Sequence, residues 1–499
     1  MILLTTLNSR FTHASLGLRY IYANMSELQT ETKIIEFSIN DALQSIAEKL
    51  LIHKPKIIGI GTYIWNASEV NELIQIIKKV DPNITIILGG PEVSHQPFRV
   101  DFKSADHIIQ GEGDLAFYEL CKTLLQTPQK HLERIIPQTV PPLRELKLPY
   151  EYYTDDDIKN RYLYVELSRG CPFACEFCLS SMDERVRTFE LDAVLDEFEK
   201  LWQRGARAFK FVDRTFNINI KTATKILDFF LAKDEPFFAH FEVIPDHFPQ
   251  ALKEKIKLFK HGALQLEIGI QTLNLEVAQN ISRNLKLEKI KENILFLENE
   301  TEAHIHLDLI VGLPGESLES FGANLDALVA LSSCEIQIGI LKKLSGTEID
   351  RHDRKFGMTY SDFPPYDILK NNLVRFNDIQ TMKRFARFWD IYYNSGNFKK
   401  SIKLLWGKKS VYKEFYAFGL WVYGQTDSTH KISLQRQGEL LFTYLCDFKC
   451  FDAQEVATEL LQDMLKLKGR AIPSYLKKYS KNFKIDSKLG TSGFNKRQA

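Results

Sequence analysis

The sequence predicts an α/β protein built from three successive units: a doubly wound parallel sheet, a partial (β/α)6 barrel and a mainly helical C-terminal domain. Short apolar runs alternate with amphipathic helical stretches along residues 1–130, and the same alternation begins again at residue 155. Apolar strands joined by helices are typical of parallel sheets that are covered on both faces. Aromatic and basic residues crowd helical stretches along residues 360–499, which predicts the third unit.

The first unit is predicted from its strands and from the helices between them. Apolar runs predict strands at residues 2–7, 33–38, 56–61, 84–89 and 107–110. Amphipathic periodicity predicts helices at residues 41–53, 68–80 and 114–125. Sheets of this kind bind ligands beyond the carboxyl ends of their strands. Residues 131–154 are rich in proline and charge and are predicted to be a linker.

The second unit, residues 155–355, has the pattern of a barrel. Strands are predicted at residues 162–168, 208–213, 236–243, 264–270, 304–311 and 334–340, with helices at 191–203 and 221–231 among them. Barrel active sites lie at the carboxyl ends of the strands.

The third unit has predicted helices at residues 379–393 and 435–444. Its last stretch is a basic tail, predicted to be solvated, with contact to RNA or an acidic substrate as the alternative. The tail carries Lys468, Arg470, Lys477, Lys478, Lys481, Lys484 and Lys488.

Composition excludes several classes of protein. The chain has 499 residues, a formal net charge of +1 and 26% charged residues, so neither nucleic acid nor a membrane surface is expected as a partner. Its apolar runs fall short of the roughly 20 residues of a membrane span, and its start lacks the features of a signal peptide. Seven cysteines without a framework spacing favour a reducing compartment, and the cytoplasm is the predicted location.

The most informative motif is Cys171-Pro-Phe-Ala-Cys175-Glu-Phe-Cys178, which follows the first predicted barrel strand. Three thiolates at this spacing can hold three irons of a four-iron cluster and leave the fourth iron open to a ligand. The alternatives are a structural zinc loop and a redox pair. Structural zinc requires four ligands, and the loop has no second pair and no histidine. The remaining cysteines, Cys121, Cys334, Cys446 and Cys450, are scattered.

This motif resembles the signature of the radical S-adenosylmethionine (SAM) enzymes. The resemblance implies a [4Fe–4S] cluster on Cys171, Cys175 and Cys178, with SAM chelating the open iron and being cleaved to a 5′-deoxyadenosyl radical. It also implies that Phe177 packs near the adenine.

Polar residues at the other predicted strand ends resemble the SAM-contacting set of these barrels. The resemblance places Asp213 and Thr215 by the SAM amino group, Glu242 on the ribose hydroxyls and Arg283 on the carboxylate, with Gln271 and Asp308 completing the contacts. One departure is Val212-Asp213-Arg214, where Gly-Gly-Glu is usual. Another is Ser345, which stands where proline is usual.

The first unit lacks the G-x-G-x-x-G sequence of dinucleotide sites after its first strand, and the chain has no Walker A sequence. Its strand-end loops resemble the cobalamin (B12)-binding domain of B12-dependent radical SAM enzymes. The residues implied to bind cobalamin are Asn8, Arg10, His13, Tyr63, Trp65, Gly89, Gly90, Gly111, Glu112 and Gly113. His13 departs from the D-x-H-x-x-G motif that supplies a cobalt ligand, so we expect cobalt without a protein histidine below it.

The resemblance covers residues 1 to about 350, and the remainder resembles a C-terminal domain of unknown function found on some members. It implies an enzyme that uses the cluster, SAM and cobalamin to methylate an unactivated carbon of a small molecule or lipid. Flavodoxin or ferredoxin would be the electron donor. Alternatives are cyclisation, ring rearrangement or oxidation without methyl transfer, and a non-catalytic cobalamin or cluster sensor. A tRNA methylthiotransferase is disfavoured, because that family has three more cysteines in its first domain.

Overall fold

The computed structural model describes residues 1–126, 132–466 and 470–480. Its first unit is a six-stranded parallel sheet in the order β2-β1-β3-β4-β5-β6. The strands are β1 (Ile2–Asn8), β2 (Thr32–Ser38), β3 (Ile57–Gly61), β4 (Thr85–Gly89), β5 (His107–Gly111) and β6 (Ile135–Thr139). The helices are α1 (Leu16–Ala23), α2 (Leu43–Leu51), α3 (Ala67–Val80) and α4 (Ala116–Gln126). Residues of α2 and α3 enter one buried core and residues of α1 and α4 another, so the predicted doubly wound sheet is confirmed.

Strand β6 corrects the prediction of a linker at residues 131–154. It pairs in parallel with β5, with Ile108 opposite Ile135 and Ile109 opposite Ile136. It is an edge strand that carries Pro137, and its side chains are half-buried or exposed. Proline and charge are tolerated at a sheet edge, so composition could not distinguish this strand from a linker.

The second unit is a six-stranded parallel sheet in the order β14-β13-β12-β11-β10-β7. Its strands, with the short hairpin β8–β9 that interrupts them, are β7 (Leu163–Val165), β8 (Ser168–Arg169), β9 (Arg187–Thr188), β10 (Ala208–Phe211), β11 (Phe238–Val243), β12 (Leu264–Gln271), β13 (His304–Val311) and β14 (Glu335–Ile340). The helices are α5 (Asp155–Asn160), α6 (Leu191–Gln203), α7 (Ile220–Leu231), α8 (Gln250–Ile256), α9 (Leu275–Asn280), α10 (Leu287–Glu300) and α11 (Leu318–Leu331). The predicted partial barrel is confirmed.

The first barrel strand is shorter than the predicted residues 162–168. The chain leaves the sheet after Val165, because side chains take over its backbone hydrogen bonds. The N–H of Glu166 donates to Tyr150 Oη at 3.1 Å, and the N–H of Leu167 donates to the Asp213 carboxylate at 3.0 Å. This turn directs the chain into the β8–β9 hairpin, which carries the cysteine loop.

Strands β12 and β13 alternate strictly between buried and half-buried side chains. The buried side chains pack under the helices, as Phe209 of β10 does against Trp202 and Phe230. The other face lines the barrel interior and is polar: Lys210, His240, Glu242, Gln265, Glu267, His306 and Asp308.

The third unit packs against the barrel and shares one continuous core with it. Its elements are α12 (Asp353–Phe356), β15 (Thr359–Tyr360), β16 (Ile368–Lys370), α13 (Phe376–Trp389), α14 (Val411–Thr426), α15 (Leu434–Thr443) and α16 (Ala453–Met464). The two predicted helices are confirmed, but their ends at Asp390–Asn394 and Tyr444–Phe448 are π-helical. Of the predicted basic tail, Lys468, Lys481, Lys484 and Lys488 lie outside the described residues.

The third unit also covers the open edge of the barrel sheet. Strand β14 is the edge strand, and the N–H of Ile336 donates to Asn394 Oδ1 at 2.9 Å. In return Asn394 Nδ2 donates to the Ile336 carbonyl at 2.9 Å. A buried side-chain amide therefore does here what a further strand would do. Within the described ranges, every helix is too short or too polar to cross a membrane.

Candidate active site

The three motif cysteines lie in one loop at the carboxyl end of the barrel strands. The loop leaves β8, runs from Cys171 to Cys178 and returns through β9. Gly170 precedes it with a φ of +90°, and a Cβ there would lie 2.3 Å from the carbonyl oxygen of Arg185, so only glycine fits. The N–H of Cys171 donates to the Asp183 carbonyl at 2.9 Å, which closes the base of the loop.

The sulfur atoms of this loop suit an iron–sulfur cluster better than a single zinc ion. Cys171 is buried, Cys175 and Cys178 are partly buried, and all three are free. Their sulfurs are not all within 4.8 Å of one another. Thiolates at about 2.3 Å from one zinc ion would lie roughly 3.8 Å apart. Burial raises the pKa of the Cys171 and Cys175 thiols, and Arg283 Nη1, 3.8 Å from Cys175 Sγ, favours the thiolate.

Glu176, inside the motif, is a buried carboxylate that the sequence analysis did not single out. Its side chain is 1% exposed, accepts from Ser282 Oγ at 2.5 Å and lies 2.7 Å from His352 Nε2. It also forms an ion pair with Arg351. Phe177 beside it is half-buried and packs against the barrel core. These partners come from segments far along the chain, so sequence spacing gives no signal for them.

Arg283 and Asp308 form the part of the site that fits a polar ligand. Arg283 Nη2 donates to the Gly269 carbonyl at 2.7 Å. Asp308 Oδ1 is buried and has no hydrogen-bond partner among the described residues. Burial and the nearby Glu267 and Glu242 carboxylates raise the pKa of Asp308 well above its usual range, against the influence of Arg283. An unpartnered buried oxygen beside a guanidinium is the polar environment that SAM would complete.

Glu242 and Gln271 also lie at this end of the barrel. Glu242 Oε1 pairs with Arg214 Nη1 at 2.6 Å, and Arg214 Nε donates to Ser180 Oγ at 3.2 Å. Because Ser180 follows the third cysteine closely, Arg214 links strand β11 to the cysteine loop. Gln271 ends β12 with a φ of +68°. The roles of Glu242 and Gln271 toward SAM stay predictions.

Asp213 is turned toward the strand that leads into the cysteine loop. Its carboxylate accepts from the N–H of Leu167 at 3.0 Å and from Ser168 Oγ at 2.6 Å. Burial raises the pKa of Asp213 to about 7. Thr215 lies in the same loop, where its carbonyl accepts from the N–H of Ile218 at 3.0 Å. Asp213 therefore supports the base of the cysteine loop, and its contact with the SAM amino group stays a prediction.

The glycines predicted to bind cobalamin end two strands of the first sheet or lie within two residues of their ends. They are Gly89, Gly90, Gly111 and Gly113. Gly90 has a φ of +108°, and a Cβ there would lie 2.5 Å from the Thr62 carbonyl oxygen. Glycine is thus needed for the turn itself, because the Thr62 backbone fills the space where a Cβ would lie.

An aromatic pair and a buried amide lie at the same carboxyl edge. The rings of Tyr63 and Trp65 stack with centroids 4.4 Å apart and planes 7° from parallel. Trp65 is 42% exposed and its Nε1 donates to the Leu7 carbonyl at 3.2 Å. Asn8 is buried at the end of β1, and its Nδ2 donates to Glu36 Oε1 at 3.5 Å. A half-exposed flat ring fits the face of a large planar ligand such as cobalamin.

His13 contacts the barrel. Its Nδ1 lies 2.5 Å from Tyr164 Oη on strand β7. Burial, and then the positive charges of Lys210 and Arg10, lower the pKa of His13 to about 4, so the imidazole is neutral at pH 7. The N–H of His13 donates to the Arg10 carbonyl at 3.2 Å. The expected absence of a histidine ligand below cobalt stays a prediction.

A cluster of charged side chains joins the two predicted cofactor loops. Arg169, one residue before Gly170, pairs with Glu112 and Asp114 of the first unit, each at 2.8 Å, and with Glu166 at 2.9 Å. Arg187 on β9 also pairs with Glu112. Glu112 was predicted to bind cobalamin, and here its carboxylate is held by two arginines of the barrel. Arg169 was not predicted, because its only signal in the sequence is its place beside the motif.

Three stretches of the chain match known families. Residues 2–121 match the B12 binding domain, residues 165–328 match the radical SAM superfamily, and residues 354–492 match a protein family of unknown function, DUF4080.

Two curated relatives and one solved structure extend these matches. The uncharacterized methyltransferase PH0819 of Pyrococcus horikoshii is 28% identical over 237 residues, which are 42% of this chain and 51% of that protein. The cobalamin-dependent radical SAM methyltransferase TokK of Streptomyces tokunonensis is 22% identical over 350 residues, 60% of this chain and 49% of TokK. The cobalamin-dependent SAM radical enzyme OxsB, with aqua-cobalamin and SAM bound, superposes with a TM-score of 0.59 at 14% identity, covering 93% of this chain and 78% of OxsB. This chain spans about half the length of the two relatives, and it shares its fold with OxsB.

Proposed function

Since the chain belongs to the cobalamin-dependent radical SAM enzymes, we propose that it methylates an unactivated carbon of a small molecule or lipid. Its cofactors are a [4Fe–4S] cluster, SAM and cobalamin. When bound, the cluster and SAM supply radical chemistry and cobalamin supplies a transferable methyl group. Two relatives that are named as methyltransferases support methyl transfer over the alternatives.

One observation carries this proposal: the Arg169 cluster ties the Gly111–Gly113 loop of the first unit to the base of the cysteine loop. Arg169 is 15% exposed and has three carboxylate partners. If its guanidinium left the cluster, the partly buried carboxylates would lose their positive partner, which is strongly destabilising. A methyl transfer requires that the two cofactors and the substrate carbon meet within one cavity. The ion pairs hold the two loops in a fixed relation that suits this requirement.

The residues of the barrel would have separate tasks. Cys171, Cys175 and Cys178 would hold the cluster. Arg283 would bind the SAM carboxylate with its planar guanidinium and keep its contact with Cys175. Asp308 would form a hydrogen bond with SAM through its own unpartnered oxygen, Oδ1.

The remaining parts of the proposal concern partners and location. A flavodoxin or ferredoxin would deliver the electron, and the enzyme would work in the cytoplasm. The substrate would enter the polar barrel interior, where the Glu267 carboxylate lies 3.0 Å from His240 Nε2 and offers a hydrogen-bonding surface.

The test is a labelled-methyl experiment. The protein is purified without oxygen, reconstituted with iron, sulfide and hydroxocobalamin, and incubated with reductant, trideuteromethyl-SAM and small-molecule and lipid extracts. We expect 5′-deoxyadenosine together with a product that has gained one trideuteromethyl group in place of hydrogen.

Other outcomes would decide between the alternatives. 5′-Deoxyadenosine with a changed product but no label would favour cyclisation, rearrangement or oxidation. Retained cobalamin without any SAM cleavage would favour a sensor and contradict an enzyme.

A further inference from the structure

A second group of ligand-type side chains lies at the other end of the barrel strands. His304 and His306 are two residues apart on β13 and therefore share a face, and Glu335 is the register partner of His306 on β14. His304 Nε2 lies 3.0 Å from His306 Nε2 and 3.3 Å from Glu335 Oε1. His306 Nε2 lies 3.0 Å from Glu335 Oε2. Among the described residues, these three side chains form the one group of histidine, cysteine or acidic side chains whose ligand atoms lie close enough together to bind one metal ion.

The group is remote from the cysteine loop. His304 and Glu335 are the first residues of their strands, whereas the cysteine loop lies beyond the carboxyl ends. At about 3.3 Å per residue, the eight-residue strand β13 separates the two ends by roughly 23 Å. The residues assigned above to the cluster, SAM and cobalamin are therefore not involved.

These contacts bring lone pairs together. If His306 Nε2 is unprotonated, its lone pair faces the Glu335 carboxylate at 3.0 Å, which costs free energy in a half-buried site. The side-chain nitrogen of Gln265 lies 3.0 Å from His306 Nδ1 and 2.9 Å from Nε2, and turning this amide presents its oxygen to the same position. A cation between His304, His306 and Glu335 would give the two imidazole lone pairs and the carboxylate one shared, favourable partner.

We propose that His304, His306 and Glu335 bind a divalent transition-metal ion, with Zn²⁺ as the preferred ion. Zinc accepts two imidazoles and one carboxylate at about 2.0–2.1 Å, and tetrahedral ligands at that radius lie roughly 3.3 Å apart. The two imidazole nitrogens lie 3.0 Å apart. His304 Nε2 lies 3.3 Å from Glu335 Oε1 and His306 Nε2 lies 3.0 Å from Oε2, so these separations are close to that value. Water, or the amide oxygen of Gln265 after rotation, completes the shell. Because β14 is the edge strand, the ion cross-links the edge of the barrel sheet to its neighbour.

The test measures zinc in the protein with its cluster reconstituted. The protein is treated with a chelator, supplied with one equivalent of ZnCl₂ and desalted, and zinc and iron per chain are then counted by mass spectrometry. We expect about one zinc per chain, with X-ray absorption showing nitrogen and oxygen at about 2.0–2.1 Å and no sulfur at about 2.3 Å. We also expect added zinc to raise Tm, because an ion that binds only the folded state stabilises it.

Two variants and a matched control complete the design. In His306→Ala, and in the milder His304→Gln, we expect retained zinc to fall at least tenfold while iron per chain is unchanged, which also shows that the barrel has folded. His261→Ala is the control, since His261 lies 3.5 Å from Glu302 at the surface and, among the described residues, belongs to no convergent group of metal-ligand side chains. Zinc absent from the wild type, bound through sulfur, or retained by His306→Ala would overturn the proposal. None of these results depends on methyl transfer.

Discussion

The two six-stranded parallel sheets of this protein expose different surfaces to their ligands. Strand β1 of the first sheet is buried along its whole length, and both faces of that sheet are covered by helices. Strand β12 of the barrel alternates between buried and half-buried side chains, and its inward face carries Gln265 and Glu267. The first sheet can therefore contact a ligand only through its strand-end loops, whereas the barrel can use the strands themselves.

This difference separates the chemistry of the two units. The first sheet contributes glycine turns and aromatic rings to its binding surface. These groups determine the shape of that surface and carry no charge near pH 7. The barrel contributes buried carboxylates, whose charge responds to pH and to neighbouring groups. Variants in the barrel should therefore affect cluster chemistry and its pH dependence. Variants at the glycine turns and aromatic rings of the first sheet, away from the Arg169 cluster, should affect cobalamin retention alone.

The largest expected effect comes from Cys175→Ala in the barrel. We expect loss of most bound iron and at least a hundredfold loss of 5′-deoxyadenosine formation, because two thiolates do not hold the cluster. Cobalt retained per chain after desalting should stay the same, since the loops of the first sheet are untouched. Cys450→Ser, at an exposed cysteine, should match the wild type in both measurements. Joint loss of iron and cobalamin would contradict the separation of the two sheets.

The next effect is a pH dependence that belongs to the barrel. The pKa of Asp213 is about 7 in the folded protein against an ordinary value of 3.8. Its stabilising contribution is therefore fully present below pH 4 and is lost as pH rises through 7. This loss amounts to at most about 4 kcal/mol. We expect the free energy of unfolding of Asp213→Asn, measured by urea titration at pH 5 and pH 8, to fall less with pH than that of the wild type.

A second buried carboxylate, Glu316, provides a comparison for the pH dependence measured with Asp213→Asn. Burial also raises the pKa of Glu316 to about 7, and Glu316→Gln should flatten the pH dependence by a similar amount. Equal pH dependence in the wild type and in Asp213→Asn would show that Asp213 is ionised in the folded protein.

A smaller effect is expected from Gly90→Ala in the first sheet. The new Cβ would lie 2.5 Å from the Thr62 carbonyl at a φ of +108°, which costs about 1–3 kcal/mol in stability. Cobalt retention should fall about tenfold while iron content stays constant. Gly205→Ala is the control, because Gly205 has a φ of +99° and open space around its Cβ position. An equal fall in cobalt retention for both variants would assign the effect to backbone strain in general.

The smallest effect is expected from His13→Ala. His13 lies against Tyr164 of the barrel, and we expect it not to ligate cobalt. Cobalt retention should change less than threefold, and the electron paramagnetic resonance spectrum of reduced cobalamin should show no nitrogen coupling in either protein. Nitrogen coupling in the wild type that disappears in His13→Ala would identify His13 as the ligand and reverse this expectation.

Most strands could be predicted because their patterns are local. Strand β13 agrees with the predicted residues 304–311, since its alternation is complete over eight residues. Strand β6 was missed because an edge strand with proline has little apolar signal, and its pairing with β5 depends on the finished sheet. The end of β7 was misplaced because Tyr150 and Asp213, which take its hydrogen bonds, are distant in sequence.

The candidate site divides in the same way. The three cysteines were found from one short motif. The partners of Glu176 and Arg169 were not, because Arg351 lies 175 positions after Glu176 and Glu112 lies 57 positions before Arg169. Contacts of this kind require the fold to be known first.

The amide clamp between Asn394 and strand β14 has a consequence for biosynthesis. During translation, the edge of the barrel sheet is complete at Ile340, but its cover follows about 50 residues later. At 5–20 residues per second, the ribosome leaves that edge uncovered for about 3–10 s. An unpaired edge strand recruits other strands. A chain shortened before Asn394 should therefore accumulate in inclusion bodies, because the edge of β14 would stay uncovered.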